Sequence, residues 1–238
     1  MRFLPAGDTA VVVEFGDRID RALSDRVLAL ARALRAAPPP GIVDVVPTFR
    51  SLLVHYDPLI TSGKDVTVAI RTLTDLENGR RRPRRRWTIP ACYAAELAPD
   101  LAEVAERTGL MADEVVTHHA RTEFHVYMIG FAPGHPYMGD LPGELALPRR
   151  TDPRLRVPAG SIAIASTLSV IHPIENPTGW HVIGATPIRL FDPAWRQPSL
   201  LSPGDAVRFE PVGLREFKAI RNAVEAKAFA PVSEEIEP

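Results

Sequence analysis

The chain has 238 residues, of which 45% are hydrophobic and 24% are charged, and its formal net charge is −1. This composition is typical of a globular protein and excludes disorder throughout, while the balanced charge gives no support to a nucleic-acid partner. The 24 prolines argue against a helical bundle and favour short strands and extended loops.

Cys92 is the only cysteine, which excludes an intramolecular disulfide and a multi-cysteine zinc site. No stretch of 18 uncharged apolar residues is present, so we expect no membrane span. Pro5, Gly7 and Asp8 interrupt any signal-peptide core near Met1. These features together predict a protein of the reducing cytoplasm.

The N-terminal part of the chain predicts a small α+β domain, residues 1–78, with the order β-α-β-β-α. Its helices follow from apolar residues at helical spacing, and Pro38, Pro39 and Pro40 end the first of them. The expected strands cover 9–15, 42–46 and 51–56, and the expected helices cover 20–36 and about 66–73.

An arginine-rich stretch follows this domain. Residues 77–86 contain six arginines without an apolar residue, and we interpret 79–86 as an exposed linker. The alternative is a contact with an anion or a nucleic acid, which the lack of interleaved aromatic residues disfavours.

The remaining residues, 87–238, predict a mainly-β domain, because short apolar segments alternate with Pro/Gly turns. Many short strands at such spacing suggest a closed or nearly closed barrel. We also expect a C-terminal helix around 217–224 and a frayed acidic tail at 233–238. The expected strands cover 87–93, 123–129, 161–165, 180–183, 188–191 and 206–210, and two short helices lie near 101–105 and 111–118.

Several catalytic signatures are absent from the sequence. It has no G-x-x-x-x-G-K phosphate loop, no G-x-G-x-x-G turn and no G-x-S-x-G elbow. Its seven histidines form no H-E-x-x-H pair, so we expect no metal site.

Three loop stretches carry the candidate site residues. The first, 130–139, has three glycines and two prolines around Phe131, His135 and Tyr137, which suits either a small-molecule pocket or a tight packed corner. In the third, 171–187, His172 or His181 is a candidate acid or base and Trp180 is a candidate wall, although both residue types are common in cores.

The second stretch, 148–161, contains four arginines within eight residues. Arg149, Arg150 and Arg154 are candidates for binding a carboxylate or phosphate, since guanidinium groups bind such anions in bidentate fashion. The alternative is a solvated rim of salt bridges.

A series of motifs in order resembles one bacterial family, known as allophanate hydrolase subunit 1, as the B-type subunit of 5-oxoprolinase, or as KipI. The motifs are GDTA at 7–10, VPTFRSLLVHYDP at 46–58, YMIGFAPG at 127–134, PRR at 148–150 and VPAGS at 157–161. The resemblance implies an α+β N-terminal domain followed by a mainly-β cyclophilin-like barrel.

The resemblance also implies a function in a complex. The chain would act with a carboxyltransferase-like subunit 2 and a third, LamB/YcsF-like subunit to convert 5-oxoproline and ATP to glutamate. Because the chain has no phosphate loop, ATP would be shared with or supplied by the partner. The alternative is a KipI-like regulator that inhibits a sensor histidine kinase; prolyl isomerase activity is discounted, because fold does not carry function.

The implied pocket lies on the barrel and is lined by the aromatic and histidine residues of the first and third stretches, with an arginine of the second at its anionic end. His135 and His172 are the candidates for proton transfer. The sequence departs from the family pattern at Leu168, His172 and Ala185, where the family has glutamine, tyrosine and arginine. These departures leave the substrate open.

Overall fold

The computed structural model describes residues 1–76 and 84–236 of the chain. The chain divides into two compact units, with the boundary between Pro83 and Arg84. We refer to the described residues before this boundary as the smaller unit and to Arg84–Ile236 as the larger unit.

The smaller unit is an antiparallel sheet with strand order β1-β2-β4-β3 and two helices. Helix α1 begins where the Asp20 side chain accepts a hydrogen bond from the Leu23 amide at 3.1 Å, and it ends just before the three prolines. One apolar core holds the helices to the sheet, because Leu30 and Leu34 of α1 and Ile70 of α2 are buried against Val13 and Leu52. The elements are β1 Arg2–Pro5, β2 Ala10–Glu14, α1 Arg21–Ala36, β3 Ile42–Pro47, β4 Ser51–Tyr56 and α2 Gly63–Leu76.

The larger unit contains an eight-stranded mixed sheet with order β12-β9-β10-β7-β6-β13-β5-β14, in which only β13 and β5 pair in parallel among the described strands. A separate two-stranded sheet pairs β11 with β8. The strands are β5 Arg84–Ala91, β6 Phe124–Ile129, β7 Pro136–Gly139, β8 Arg154–Val157, β9 Ser161–Ala165, β10 Leu168–Ile171, β11 Asn176–Thr178, β12 His181–Ala185, β13 Ala206–Pro211 and β14 Val232–Ile236. The helices are α3 Leu101–Thr108, α4 Ala112–Arg121 and α5 Leu214–Glu225, with a 3-10 turn at Gly143–Leu145.

One backbone bridge connects the two sides of the large sheet. Beyond the end of β5, Cys92 pairs with Ala185 of β12 through two backbone hydrogen bonds of 2.8 and 2.9 Å. A single bridge therefore joins β5 to the opposite edge of the sheet, and β14 continues the sheet outside this closure.

A buried polar chain crosses the core of the larger unit. The Tyr93 hydroxyl lies 2.9 Å from Nδ1 of His119, and Nε2 of the same ring lies 3.0 Å from the Ser169 hydroxyl. His119 also stacks on Phe209, with ring centroids 4.7 Å apart. Burial lowers the pKa of His119 to about 3, so the ring is neutral at pH 7 and serves to connect α4 to the sheet.

Three expectations from the sequence are wrong. Residues 188–191 form no strand, because Leu190 accepts its hydrogen bond from Leu200 in a loop rather than from a sheet neighbour. The tail is not frayed over 233–236, since it forms β14 on β5, with Glu234 bound to Arg86 at 2.7 Å. The predicted linker ends too late, because Arg84–Arg86 already belong to β5, while 77–83 lies outside the described residues.

In the described parts of the chain, no helix is both long and apolar enough to span a lipid bilayer.

Candidate functional site

A cavity of about 280 Å³ lies in the larger unit where the three predicted loop stretches meet. It is walled by aromatic rings, two imidazoles, one guanidinium group and small or proline residues. The lining residues are Phe131, His135, Tyr137, Arg149, Pro153, Val170, His172, Pro177, Thr178, Gly179 and Trp180.

The first loop is held by its own backbone. The amide of Gly130 donates to the carbonyl of His135 at 3.1 Å, and the amide of His135 donates to Ala132 at 3.0 Å. Gly134 has a φ of +75°, and a Cβ there would lie 2.7 Å from that of Phe191. Only glycine fits this turn, which brings His135 back to the start of β7.

Phe131 adopts a strained conformation at the mouth of the cavity. Its φ is +69°, a region that bulky residues avoid, and its side chain is 69% exposed. Such residues cost about 1–3 kcal/mol and are concentrated at functional sites. The ring is thus presented to solvent at the edge of the cavity rather than buried in the turn.

A series of ring contacts continues inward from Phe131. Its ring centroid lies 5.5 Å from that of His135, which in turn lies 5.0 Å from Tyr137 and 5.1 Å from His172. Tyr137 is followed by Trp180 at 6.1 Å. The edge-to-face and tilted geometries are those that aromatic pairs favour, so the walls are well packed.

Both histidines are nearly inaccessible, at 2% exposure each. Burial and the neighbouring His172 lower the pKa of His135 to about 4, and burial lowers the pKa of His172 to about 4. Asn176 approaches His172 and partly opposes this lowering, although its polar atoms do not reach hydrogen-bond geometry with the ring. At pH 7 both imidazoles are therefore neutral, and each can donate one hydrogen bond and accept another.

The three candidate arginines have different surroundings. Arg149 lies with Cζ 5.8 Å from the Trp180 ring centroid and lines the cavity. Arg150 and Arg154 instead bind the buried carboxylate of Asp100, with Arg150 at 2.9 Å and Nε of Arg154 at 3.1 Å. Of the three candidate arginines, Arg149 alone lines this cavity, whereas Arg150 and Arg154 are held in ion pairs with Asp100.

Asp100 is a buried polar residue of this region whose role was not predicted from the sequence. Besides the two arginines, it accepts a hydrogen bond from the Val182 amide at 2.8 Å, so it connects the arginine loop to β12. Burial alone would raise its pKa, but the hydrogen bonds from Arg154 and Val182 and the charges of both arginines hold the pKa below its usual value. The proline and aspartate at 99–100 predicted a helix start, and their position gave no signal of an ion pair fifty residues away.

Five other lining residues were not predicted as site residues: Pro153, Val170, Pro177, Thr178 and Gly179. Among residues 1–76 and 84–236, no three histidine, cysteine, aspartate or glutamate side chains lie close enough together to hold a metal ion.

A second cleft, of about 680 Å³, lies between the loop at 158–161 and α5, and Arg154 and Arg156 line it. The first cavity is the better candidate site, because six of the predicted site residues line it and two of these six are buried histidines.

Residues 1–201 match the family model described as carboxyltransferase domain, subdomain C and D. The chain belongs to this family. A curated relative from Bacillus subtilis, named as the B-type subunit of 5-oxoprolinase, is 36% identical over 229 residues, which is 90% of this chain and 94% of the relative.

Solved structures support the fold of this subdomain C and D protein. The crystal structure of TTHA0988 is 36% identical with a TM-score of 0.77 over 85% of this chain, which spans only 40% of the TTHA0988 chain. The Kluyveromyces lactis urea amidolyase is 20% identical, and it matches 98% of this chain and 16% of its own with a TM-score of 0.82. At that identity the amidolyase supports the fold alone.

Proposed function

We propose that the chain is the B-type subunit of a complex that opens 5-oxoproline to glutamate with hydrolysis of ATP. The observation that carries this proposal is the Bacillus subtilis relative, whose name is that of a 5-oxoprolinase component and which is similar over 90% of the chain. The cavity adds chemical support, since its walls consist largely of aromatic and imidazole rings and it contains one cationic side chain, Arg149.

The proposed reaction suits this combination. 5-Oxoproline carries a carboxylate on one side of a five-membered lactam ring, and Arg149 supplies the cation for that carboxylate. Opening the ring breaks the amide C–N bond and adds the oxygen of one water molecule to the carbonyl carbon. ATP would first phosphorylate the lactam oxygen, releasing ADP and making the ring carbon more electrophilic. After the water adds, the C–N bond would break with the nitrogen taking up a proton. A second water molecule would then hydrolyse the resulting acyl phosphate to glutamate and phosphate.

ATP and the partner subunits are part of the proposal. The chain lacks a phosphate loop, so we propose that ATP is bound together with a carboxyltransferase-like subunit 2. A third, LamB/YcsF-like subunit completes the proposed complex.

Co-purification of the chain with both partners, followed by measurement of glutamate and ADP release from 5-oxoproline and ATP, tests this function. R149M is expected to raise the KM for 5-oxoproline, whereas R156M, which removes an exposed arginine paired with Glu175, leaves it unchanged. An assembled wild-type complex without glutamate release would refute the proposal. The alternative of a kinase regulator stays a prediction, and titration of the same preparation against autophosphorylating sensor kinases tests it.

We also propose that the two units are separate domains and that the larger one is a cyclophilin-like barrel. The bridge between Cys92 and Ala185 supports a closed sheet. Expression of residues 84–238 alone tests the first point, because an independent domain would unfold cooperatively without the smaller unit.

A further inference from the structure

Unpartnered polar atoms are concentrated at one wall of the cavity. In the part of the chain that the structure describes, three buried ring nitrogens of the lining residues His135 and His172 have no hydrogen-bond partner: Nδ1 of His135 and both nitrogens of His172. Buried polar atoms are paired in the great majority of cases. Three such nitrogens in two residues that line the cavity are therefore suited to a molecule with several polar atoms of its own.

The protonation state of this cluster restricts what it binds. His135 and His172 are neutral at pH 7, because their pKa values are about 4. A neutral imidazole offers one N–H donor and one acceptor nitrogen, and the two rings are in contact at 5.1 Å. An anion accepts hydrogen bonds only, whereas an amide group presents an acceptor oxygen and a donor N–H side by side. The pair therefore matches an amide better than a carboxylate.

The wall of the cavity at Trp180 carries a positive charge, in contrast to the neutral histidines. Arg149 is placed over the Trp180 ring, and among the described residues it makes no ion pair, in contrast to Arg150 and Arg156. An arginine without an acidic partner beside an aromatic wall is suited to a carboxylate. The cavity thus has a neutral polar wall and a cationic wall, with Tyr137 between them.

We propose that His135 and His172 are specificity-determining residues that bind the amide edge of a cyclic amide, while Arg149 binds its carboxylate. The identity of the ligand as 5-oxoproline rests on the proposed function. The assignment of the two histidines rests on the cavity itself, and it makes the amide, rather than the carboxylate, the group that distinguishes the substrate from similar rings.

Calorimetric titration of the full chain in its assembled complex with three five-membered ring compounds separates the contributions of the amide and of the carboxylate to binding. 5-Oxoproline carries both groups, 2-pyrrolidinone carries only the amide, and cyclopentanecarboxylate carries only the carboxylate. We expect H135F and H172F each to weaken binding of the two amides about ten-fold, the scale of one hydrogen bond, and to leave cyclopentanecarboxylate within about two-fold. R149M should weaken both carboxylates and leave 2-pyrrolidinone unchanged.

H125F is the matched control, because His125 is a buried histidine that contacts Tyr127 outside the cavity lining. It should change none of the three affinities. A second readout uses the wild-type protein and so does not depend on whether a variant folds. In its NMR spectra, the imidazole ring signals of His135 and His172 should shift on addition of 2-pyrrolidinone and not on addition of cyclopentanecarboxylate.

Equal effects of the histidine variants on all three compounds, no effect on any, or no binding of the amides would overturn the assignment. Glutamate release distinguishes this failure from failure of the proposed function. Turnover with histidine variants that bind normally removes the specificity role alone. Amide-selective binding without turnover in the assembled complex removes 5-oxoprolinase function and keeps the assignment.

Discussion

The buried pair of His135 and His172 makes the stability of the larger unit depend on pH. Both rings have a pKa of about 4 in the folded chain, against an ordinary value of 6.5 that applies when the chain is unfolded. Between these values the unfolded chain binds protons that the folded chain excludes. The stabilisation is therefore complete above about pH 6.5 and is lost as the pH falls towards 4.

The size of the effect follows from the same values. Each pH unit inside this window removes up to about 1.4 kcal/mol per histidine from the free energy of unfolding. From pH 7 to pH 5 each ring accounts for a loss of about 2 kcal/mol, and the pair for about 4 kcal/mol at most. This is a large fraction of the roughly 5–15 kcal/mol that stabilises a typical domain.

Urea unfolding at half-unit steps from pH 7 to pH 5 measures this loss. Tryptophan fluorescence is a suitable signal, because Trp87, Trp180 and Trp195 all belong to the larger unit. The double variant H135F/H172F is the comparison, since it removes both titrating groups and retains His119, whose contribution cancels in the difference.

The wild-type curve should fall more steeply than that of the double variant in this pH range. Parallel curves would show that the two imidazoles are not held neutral and would refute the reasoning. Direct NMR titration of the two rings provides an independent check, with no change of their shifts expected between pH 7 and about pH 5.

Three further predictions concern stability. D100N should lower the free energy of unfolding by about 3 kcal/mol, because it leaves two arginines without their buried carboxylate. E175Q, which removes the charge from an exposed ion pair, should lower it by less than about 1 kcal/mol, and similar losses for the two variants in urea unfolding would contradict this prediction. G160A should cost about 2–4 kcal/mol, since φ is +88° and its Cβ would lie 2.3 Å from a backbone carbonyl oxygen, whereas G143A meets no described atom within 4 Å; calorimetric melting compares the two. Deletion of 231–238 should expose the edge of β5 and promote aggregation, detected by light scattering, and a variant lacking only 237–238 that aggregates equally would exclude loss of the strand as the cause.

Local signals were sufficient to predict five of the six elements of the smaller unit. Apolar residues at helical spacing predicted α1, and the strand predicted at Ser51–Tyr56 has the bounds of β4 in the structure. Strand β1 was missed, because Arg2–Pro5 is mostly exposed and ends in a proline, so it carries neither alternation nor an apolar run.

In the larger unit, local sequence signals did not predict every strand or contact. Strands β8, β11 and β14 contain charged or proline residues and owe their existence to a partner strand rather than to their own composition. The density of glycine and proline around Phe131 indicated an irregular loop, and the structure brings that loop to His172 and Trp180. The roles of Arg150 and Arg154 were not predictable, because their partner Asp100 is 50 and 54 residues away in sequence.

The position of β5 in the sheet determines how late in synthesis this strand can pair with its neighbours. This strand opens the larger unit, yet its neighbours are β13, β14 and, through Cys92, the last residue of β12. Among the described strands, every backbone hydrogen bond that β5 and Cys92 make to a neighbour therefore waits for residues at least ninety positions later. As the chain leaves the ribosome, both edges of β5 therefore stay unpaired until β13 and β14 have emerged, which leaves an exposed strand edge throughout that interval.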